Sequence, residues 1–191
     1  MLLKKLRKNI DWIVFVLFIS VVYLGGWQTE VFGFMQRGIL ATGFFNAQVN
    51  EEINENKTNL DFILSDRNEG KLYVSSLKGK TIFINLWATW CPPCIAEMPG
   101  INALYKDVKH REDIVFIMLS LDENKDKAKA FMDKKLFDFP LYFLSSALPK
   151  EFNHQSIPTT FVISPEGKII FQKEGMASYN TDAFRNFLLT L

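Results

Sequence analysis

Cysteine and histidine are scarce: the 191 residues hold two of each, Cys91, Cys94, His110 and His154. A zinc site draws on about four nitrogen or sulfur ligands, and the two histidines lack finger-like spacing, so a zinc centre is disfavoured. Both thiols sit in one motif, which leaves none to misbridge in an oxidising compartment or to carry a lipid. An excess of charge of one sign is also missing, with 22 basic against 21 acidic residues. No basic face interleaved with aromatics emerges, which argues against a nucleic-acid partner.

What is present is the run Trp87-Ala88-Thr89-Trp90-Cys91-Pro92-Pro93-Cys94, at the junction of an apolar β-like stretch and a helical pattern. Thiols two residues apart on the first turn of a helix close a disulfide with little backbone movement. The free N–H groups and the macrodipole of that helix stabilise a thiolate at its start, so Cys91 is the expected attacking sulfur and Cys94 the resolving one. Pro92 falls where a missing N–H costs nothing. Haem attachment needs histidine directly after the second cysteine, where Ile95 stands. A structural disulfide closing so short a loop would add little stability. A redox dithiol is the reading that remains.

The amino terminus carries a second signal. Lys4, Lys5, Arg7 and Lys8 precede the uncharged apolar stretch Ile13 to Leu24, which reaches about 18 residues when counted from Ile10 to Trp27. That length predicts a thin or tilted transmembrane anchor over 10–27, after a basic cytoplasmic terminus at 1–9. A cleaved signal peptide is the competitor, disfavoured because no A-x-A-like pair follows the run. Trp12, Tyr23 and Trp27 are candidate interfacial aromatics. Without Lys4, Lys5, Arg7, Lys8 and Asp11 the charged residues fall to 18 basic and 20 acidic, so the part beyond the anchor is mildly acidic. Residues 28–56 read as a juxtamembrane amphipathic segment and polar tether. Val31, Phe34, Met35, Ala41, Phe44 and Phe45 form an apolar stripe, to be buried on the membrane surface or, slightly less favoured, on the domain.

The stretch from Leu60 to Leu191 resembles the thioredoxin superfamily, and within it the membrane-anchored TlpA/ResA-like thiol-disulfide oxidoreductases with their redoxin/AhpC-TSA-like domain. The resemblance rests on Thr81 to Cys94 as central strand and active-site turn, Pro99 as a helix-kinking proline, and Ile157-Pro158-Thr159-Thr160 as the cis-proline loop. It implies an α/β thioredoxin fold over 57–191: a central mixed sheet flanked by helices, extended by an N-terminal hairpin with its turn at Asn68 to Gly70. It implies that Pro158 is cis and faces Cys91, leaving the backbone of Ile157 to pair with an extended substrate, and that Gly175 lies near the active-site surface. Trp90, Pro92 and Pro93 flank the dithiol, and Trp87 is expected in the core.

Asn85 departs from thioredoxin, which has a buried aspartate there; an amide takes no proton at working pH. Glu97, one helical turn after Cys94, is the candidate replacement, and TlpA/ResA-like proteins carry glutamate at that position. Partly buried beside the dithiol, its pKa would rise and let it accept the Cys94 proton.

The implied activity is outward-facing reduction of protein disulfides, with no cofactor beyond the two sulfurs. An apocytochrome c-type client and a membrane thiol-electron donor are the implied partners, beside the lipid bilayer. Two alternatives stand against it. A peroxiredoxin-like peroxidase needs P-x-x-x-T/S-x-x-C, but Ile84 and Ala88 occupy those positions. A copper-binding assembly factor could use the soft thiolates, with His154 as a distant further ligand.

Overall fold

A run of seven buried residues, Thr81–Trp87, forms an interior strand of a mixed sheet, and the active-site helix starts five residues after it. The computed structural model describes residues 2–25, 28–40, 42–43, 45–47 and 58–191. In chain order the elements are α1 (Leu2–Leu24), α2 (Gln28–Leu40), β1 (Ile63–Asp66), β2 (Lys71–Tyr73), β3 (Thr81–Trp87), α3 (Pro92–Val108) and β4 (Ile114–Ser120). They continue with α4 (Lys125–Lys135), β5 (Leu141–Leu144), β6 (Thr159–Ile163), β7 (Ile169–Glu174) and α5 (Asp182–Leu189).

The strands lie in the order β2-β1-β5-β4-β3-β6-β7. β3, β4 and β5 run parallel, as crossover helices α3 and α4 require, and the remaining pairs are antiparallel. The hairpin β1–β2 is turned by Asp66, whose Oδ1 accepts from the N–H groups of Asn68 (2.7 Å) and Gly70 (2.9 Å). It extends the sheet beyond β5.

Strand alternation divides the core. Phe83 and Trp87 face the layer containing α3 and α5, with Met98, Ile101, Phe116, Tyr179 and Phe184. Ile82, Ile84 and Leu86 face the opposite cluster, with Phe62, Leu64, Phe152 and Phe161. Asn85 shares the face of Phe83 and Trp87, so the pleat turns an amide toward the active-site helix. The helices start on side-chain caps, Asn124 accepting from Asp126 N–H (2.9 Å) and Thr181 from Phe184 N–H (3.2 Å).

Of the two places expected for the juxtamembrane segment, membrane surface or domain, α2 rests on the domain. α2 lies along α3, and its Glu30 pairs with Lys134 (2.8 Å) and Lys135 (2.9 Å) of α4. Ala47 is buried in the core, and its N–H donates to Ser178 O (3.0 Å) while Ser178 N–H donates to Phe45 O (2.7 Å). The boundary at residue 57 thus separates residues that pack together, for a strand-like backbone pairing that composition does not signal. Most of the polar tether, and Trp27, lie outside the described residues. Among those described, no single helix is long and apolar enough to cross a membrane; the pair Ile10–Leu24 and Thr29–Leu40, bent by 105°, meets the length and composition together.

Candidate active site

Cys91 ends the loop after β3 and caps α3: its backbone is extended, and Cys94 N–H points at its sulfur from 3.2 Å. Pro92 and Pro93 open the helix, where their missing N–H groups cost nothing. Cys91 and Cys94 form a disulfide, with Cys91 nearly buried and Cys94 fully so. The single N–H aimed at Cys91, together with the helix dipole, favours negative charge on this sulfur once the bond is reduced.

The facing wall is the loop before β6. The Ile157–Pro158 peptide is cis, and the Ile157 carbonyl oxygen stands 3.6 Å from Cys91 Sγ. Gly175, with φ +78°, donates its N–H to Pro158 O (2.8 Å) and ties that loop to the end of β7. Trp90 stands out from the surface beside the disulfide, 61% exposed, whereas Trp87 is wholly buried against Phe131.

Beneath the disulfide, Glu97 is buried on the same side of α3 as Cys94. Its Oε1 accepts from Asn85 Nδ2 (2.7 Å), which also donates to Thr160 Oγ1 (2.9 Å), and its Oε2 accepts from Ala177 N–H (3.1 Å). These bonds favour the carboxylate, but burial outweighs them and pushes the Glu97 pKa up to about 8. Tyr179 shares this pocket; burial first, and the Glu97 charge second, hold its hydroxyl well above its ordinary value. The two amide hydrogens of Asn85 both serve as donors, a role that an aspartate could not fill.

Three contributors were not visible in the sequence. Asp122, just after β4, accepts from Thr89 N–H (2.9 Å), Thr89 Oγ1 (2.6 Å) and Ser120 Oγ (2.9 Å), and so fixes the turn that carries Trp90 and Cys91. Thr160 holds the second hydrogen of Asn85, and Ala177 contributes only its backbone. An aspartate at the end of a buried strand could have signalled the first; a main-chain N–H has no sequence signal. His154 lies away from this arrangement, its Nδ1 3.1 Å from Phe152 O, and among the described residues no cluster of histidine, cysteine and carboxylates suits a metal ion.

A buried carboxyl beneath a helix-capping disulfide can exchange both electrons and a proton with a partner thiol pair. The comparisons agree with that chemistry. The AhpC/TSA family profile matches residues 56–172. The thiol-disulfide oxidoreductase ResA of Bacillus subtilis is 33% identical over 121 residues, which cover 63% of this chain and 67% of that protein. The ResA of Bacillus cereus is 32% identical over 137 residues, covering 71% and 78%. A solved structure from Bacteroides vulgatus, assigned as a thiol-disulfide oxidoreductase, superposes with a TM-score of 0.58 at 27% identity, over 68% of this chain and 90% of that one. With its thioredoxin-like sheet and its Cys91–Cys94 pair, the chain belongs to the AhpC/TSA family, among the ResA-like thiol-disulfide oxidoreductases.

Proposed function

We propose that this oxidoreductase is anchored in the cytoplasmic membrane by one N-terminal helix, faces outward into periplasm or cell exterior, and reduces disulfides in protein substrates. The observation that carries the chemistry is the disulfide capping α3, with Cys94 N–H on Cys91 Sγ and Glu97 buried one turn below. In the reduced protein the Cys91 thiolate attacks one sulfur of a substrate disulfide, forming a mixed disulfide and releasing the other sulfur as a thiolate. Cys94 then loses its proton to Glu97 and attacks Cys91 Sγ. The second substrate thiolate leaves, and the protein holds the Cys91–Cys94 disulfide. Two electrons have passed to the substrate, and a membrane thiol donor restores them. The cis loop at Ile157–Pro158, with Trp90, Pro92 and Pro93, forms the surface on which an extended substrate backbone lies.

A Glu97 pKa of about 8 suits this role. In the disulfide form it leaves the group mostly protonated at neutral pH, the state that follows transfer of the Cys94 proton. Reversal of the last step returns that proton to Cys94 as its sulfur leaves. Anchoring is supported by the apolar stretch Ile10–Leu24 behind a basic terminus, which orients the preceding residues toward the cytoplasm. A cytochrome c maturation client is the substrate class that the resemblance to ResA suggests.

Equilibrating the detergent-solubilised chain against glutathione or dithiol buffers tests the direction of electron flow. A potential near or below about −220 mV supports a reductant, and one near −120 mV makes the protein a disulfide donor. Failure to find a reversible couple would remove the redox function itself.

A further inference from the structure

α2 is folded onto the domain with its polar side inward. A Cβ at Gly33 would lie 3.2 Å from both the Pro92 carbonyl oxygen and Ile95 Cγ2, so the helix meets the start of α3 at backbone distance. At about 100° per residue, the side sharing Gly33 carries Thr29, Glu30, Gln36, Arg37 and Leu40. Gln36 Oε1 and Arg37 Nε are buried there, and Glu30 is clamped between Lys134 and Lys135. The opposite side presents Phe32, Phe34, Met35 and Ile39, which are 56%, 70%, 63% and 47% exposed. A helix packed on a domain in water buries its apolar stripe and turns its polar side outward. The reversed arrangement calls for a second apolar medium on the outer side.

The neighbouring helix indicates which medium. The side chains from Ile13 to Ile19 are apolar and exposed all round, and the axis bends by 105° between Ile10–Leu24 and Thr29–Leu40. With the first stretch along the bilayer normal, α2 lies within about 15° of the bilayer plane, a tilt typical of interfacial helices. The first stretch alone is short: at 1.5 Å per residue, Ile10–Leu24 covers about 22 Å of a hydrocarbon core about 30 Å thick.

We propose that α2 is an interfacial helix, with Phe32, Phe34, Met35 and Ile39 set into the boundary between headgroups and acyl chains and the catalytic domain riding on its other side. The Gly33 contact seats α2 on the start of α3 and the Glu30 clamp ties it to the end of α4, so the three helices move as one rigid piece. The dithiol is therefore held about one helix diameter, roughly 10 Å, from that boundary. A thiol donor embedded in the same bilayer meets Cys91 without a swing of the domain. This inference rests on the membrane-anchored reading above.

Site-directed spin labelling of the full chain separates the two. In a Cys91→Ser, Cys94→Ser background, single cysteines at Met35, Phe18 and Leu136 carry a nitroxide, in vesicles of phosphatidylcholine and phosphatidylglycerol. Collision rates are measured with oxygen, which concentrates in lipid, and with a water-soluble nickel chelate. Leu136 is 81% exposed and serves as the aqueous reference. The proposal expects the label at Met35 to be rich in oxygen and several-fold poorer in nickel contact than that at Leu136, at a depth of about 5–10 Å, with Phe18 deeper still. A label at Phe32 should repeat the Met35 result. If Phe18 is deep and Met35 is as nickel-accessible as Leu136, the anchor stands and the interfacial helix is refuted. Shielding of Met35 from both reagents with spin–spin broadening means that a second copy covers the face, which also refutes it. Nickel access at Phe18 would overturn the anchored reading and this inference together.

Discussion

Replacing Glu97 by glutamine preserves the side chain's shape and deletes its proton, which makes the cost of burying the carboxyl measurable. Burial raises its pKa from 4.5 to about 8, against the hydrogen bonds from Ala177 and Asn85. Between those values the folded protein keeps a proton that the unfolded chain has released. The associated stability is fully present below about pH 4.5 and is lost as the pH rises through 8. At about 1.4 kcal/mol per pH unit the loss is on the order of 5 kcal/mol, a large share of the 5–15 kcal/mol typical of a domain. Urea unfolding of the oxidised chain in mild detergent, in steps from about pH 4 to about pH 9, should show this slope in the native protein and its absence in Glu97→Gln. The variant also carries a constant offset, because its amide sets an N–H₂ group against Asn85 Nδ2 or the Ala177 N–H. Two curves that stay parallel across the range would refute the buried protonated carboxyl, as would a carboxyl infrared band that vanishes near pH 4.5 in the folded protein.

Cys94→Ser should trap a mixed disulfide between Cys91 and substrate that survives non-reducing electrophoresis, while Cys91→Ser should trap none. Asn85→Asp removes both donors and sets a second acid 2.7 Å from Glu97; we expect about 3 kcal/mol of destabilisation and two separated carboxyl titrations in place of one. Asp122→Ala strands Thr89 N–H and should cost about 2 kcal/mol in denaturant unfolding, together with a shifted reduction potential as the Trp90–Cys91 turn loosens. Gly33→Leu drives a side chain into Pro92 and Ile95 and should lower the melting temperature by a few degrees through about 1–3 kcal/mol of strain; an unchanged melting curve would mean that α2 is not seated on α3.

The strand–turn–helix unit was legible because three local signals coincide within Thr81 to Pro99: a continuous apolar run, the paired cysteines, and prolines where a helix tolerates them. Glu97 could be found by counting one turn from Cys94. Asp122 offers only the weaker signal of an aspartate just beyond a buried strand, and its partner Thr89, 33 residues away, is not announced by either residue's neighbourhood. The sequence shows that β1 and β2 form a hairpin but not that it docks beside β5, because an alternating strand matches any open edge equally well. For α2, periodicity reveals the two sides of the helix and is silent on which one meets protein. Of the stripe expected to be buried on bilayer or domain, Phe34 and Met35 face away from the domain, Ala41 and Phe44 lie outside the described residues, and the glycine side of α2 makes the contact.

The loop from Gly175 to Tyr179 joins three parts of the molecule through main-chain groups. Gly175 N–H reaches the cis-proline loop, Ala177 N–H the buried glutamate, and Ser178 pairs with the segment at 45–47. Because no side chain of the loop itself makes these bonds, substitutions at the part-exposed Met176 and Ser178 can accumulate without breaking them, whereas a single inserted or deleted residue would sever them, and a proline at the buried Ala177 would remove the bond to Glu97. What selection must preserve here is a chain length and a backbone path rather than an alphabet. Two relatives with unlike letters in this loop can therefore share the same buried carboxyl, while a near-identical one with a shifted gap has lost it.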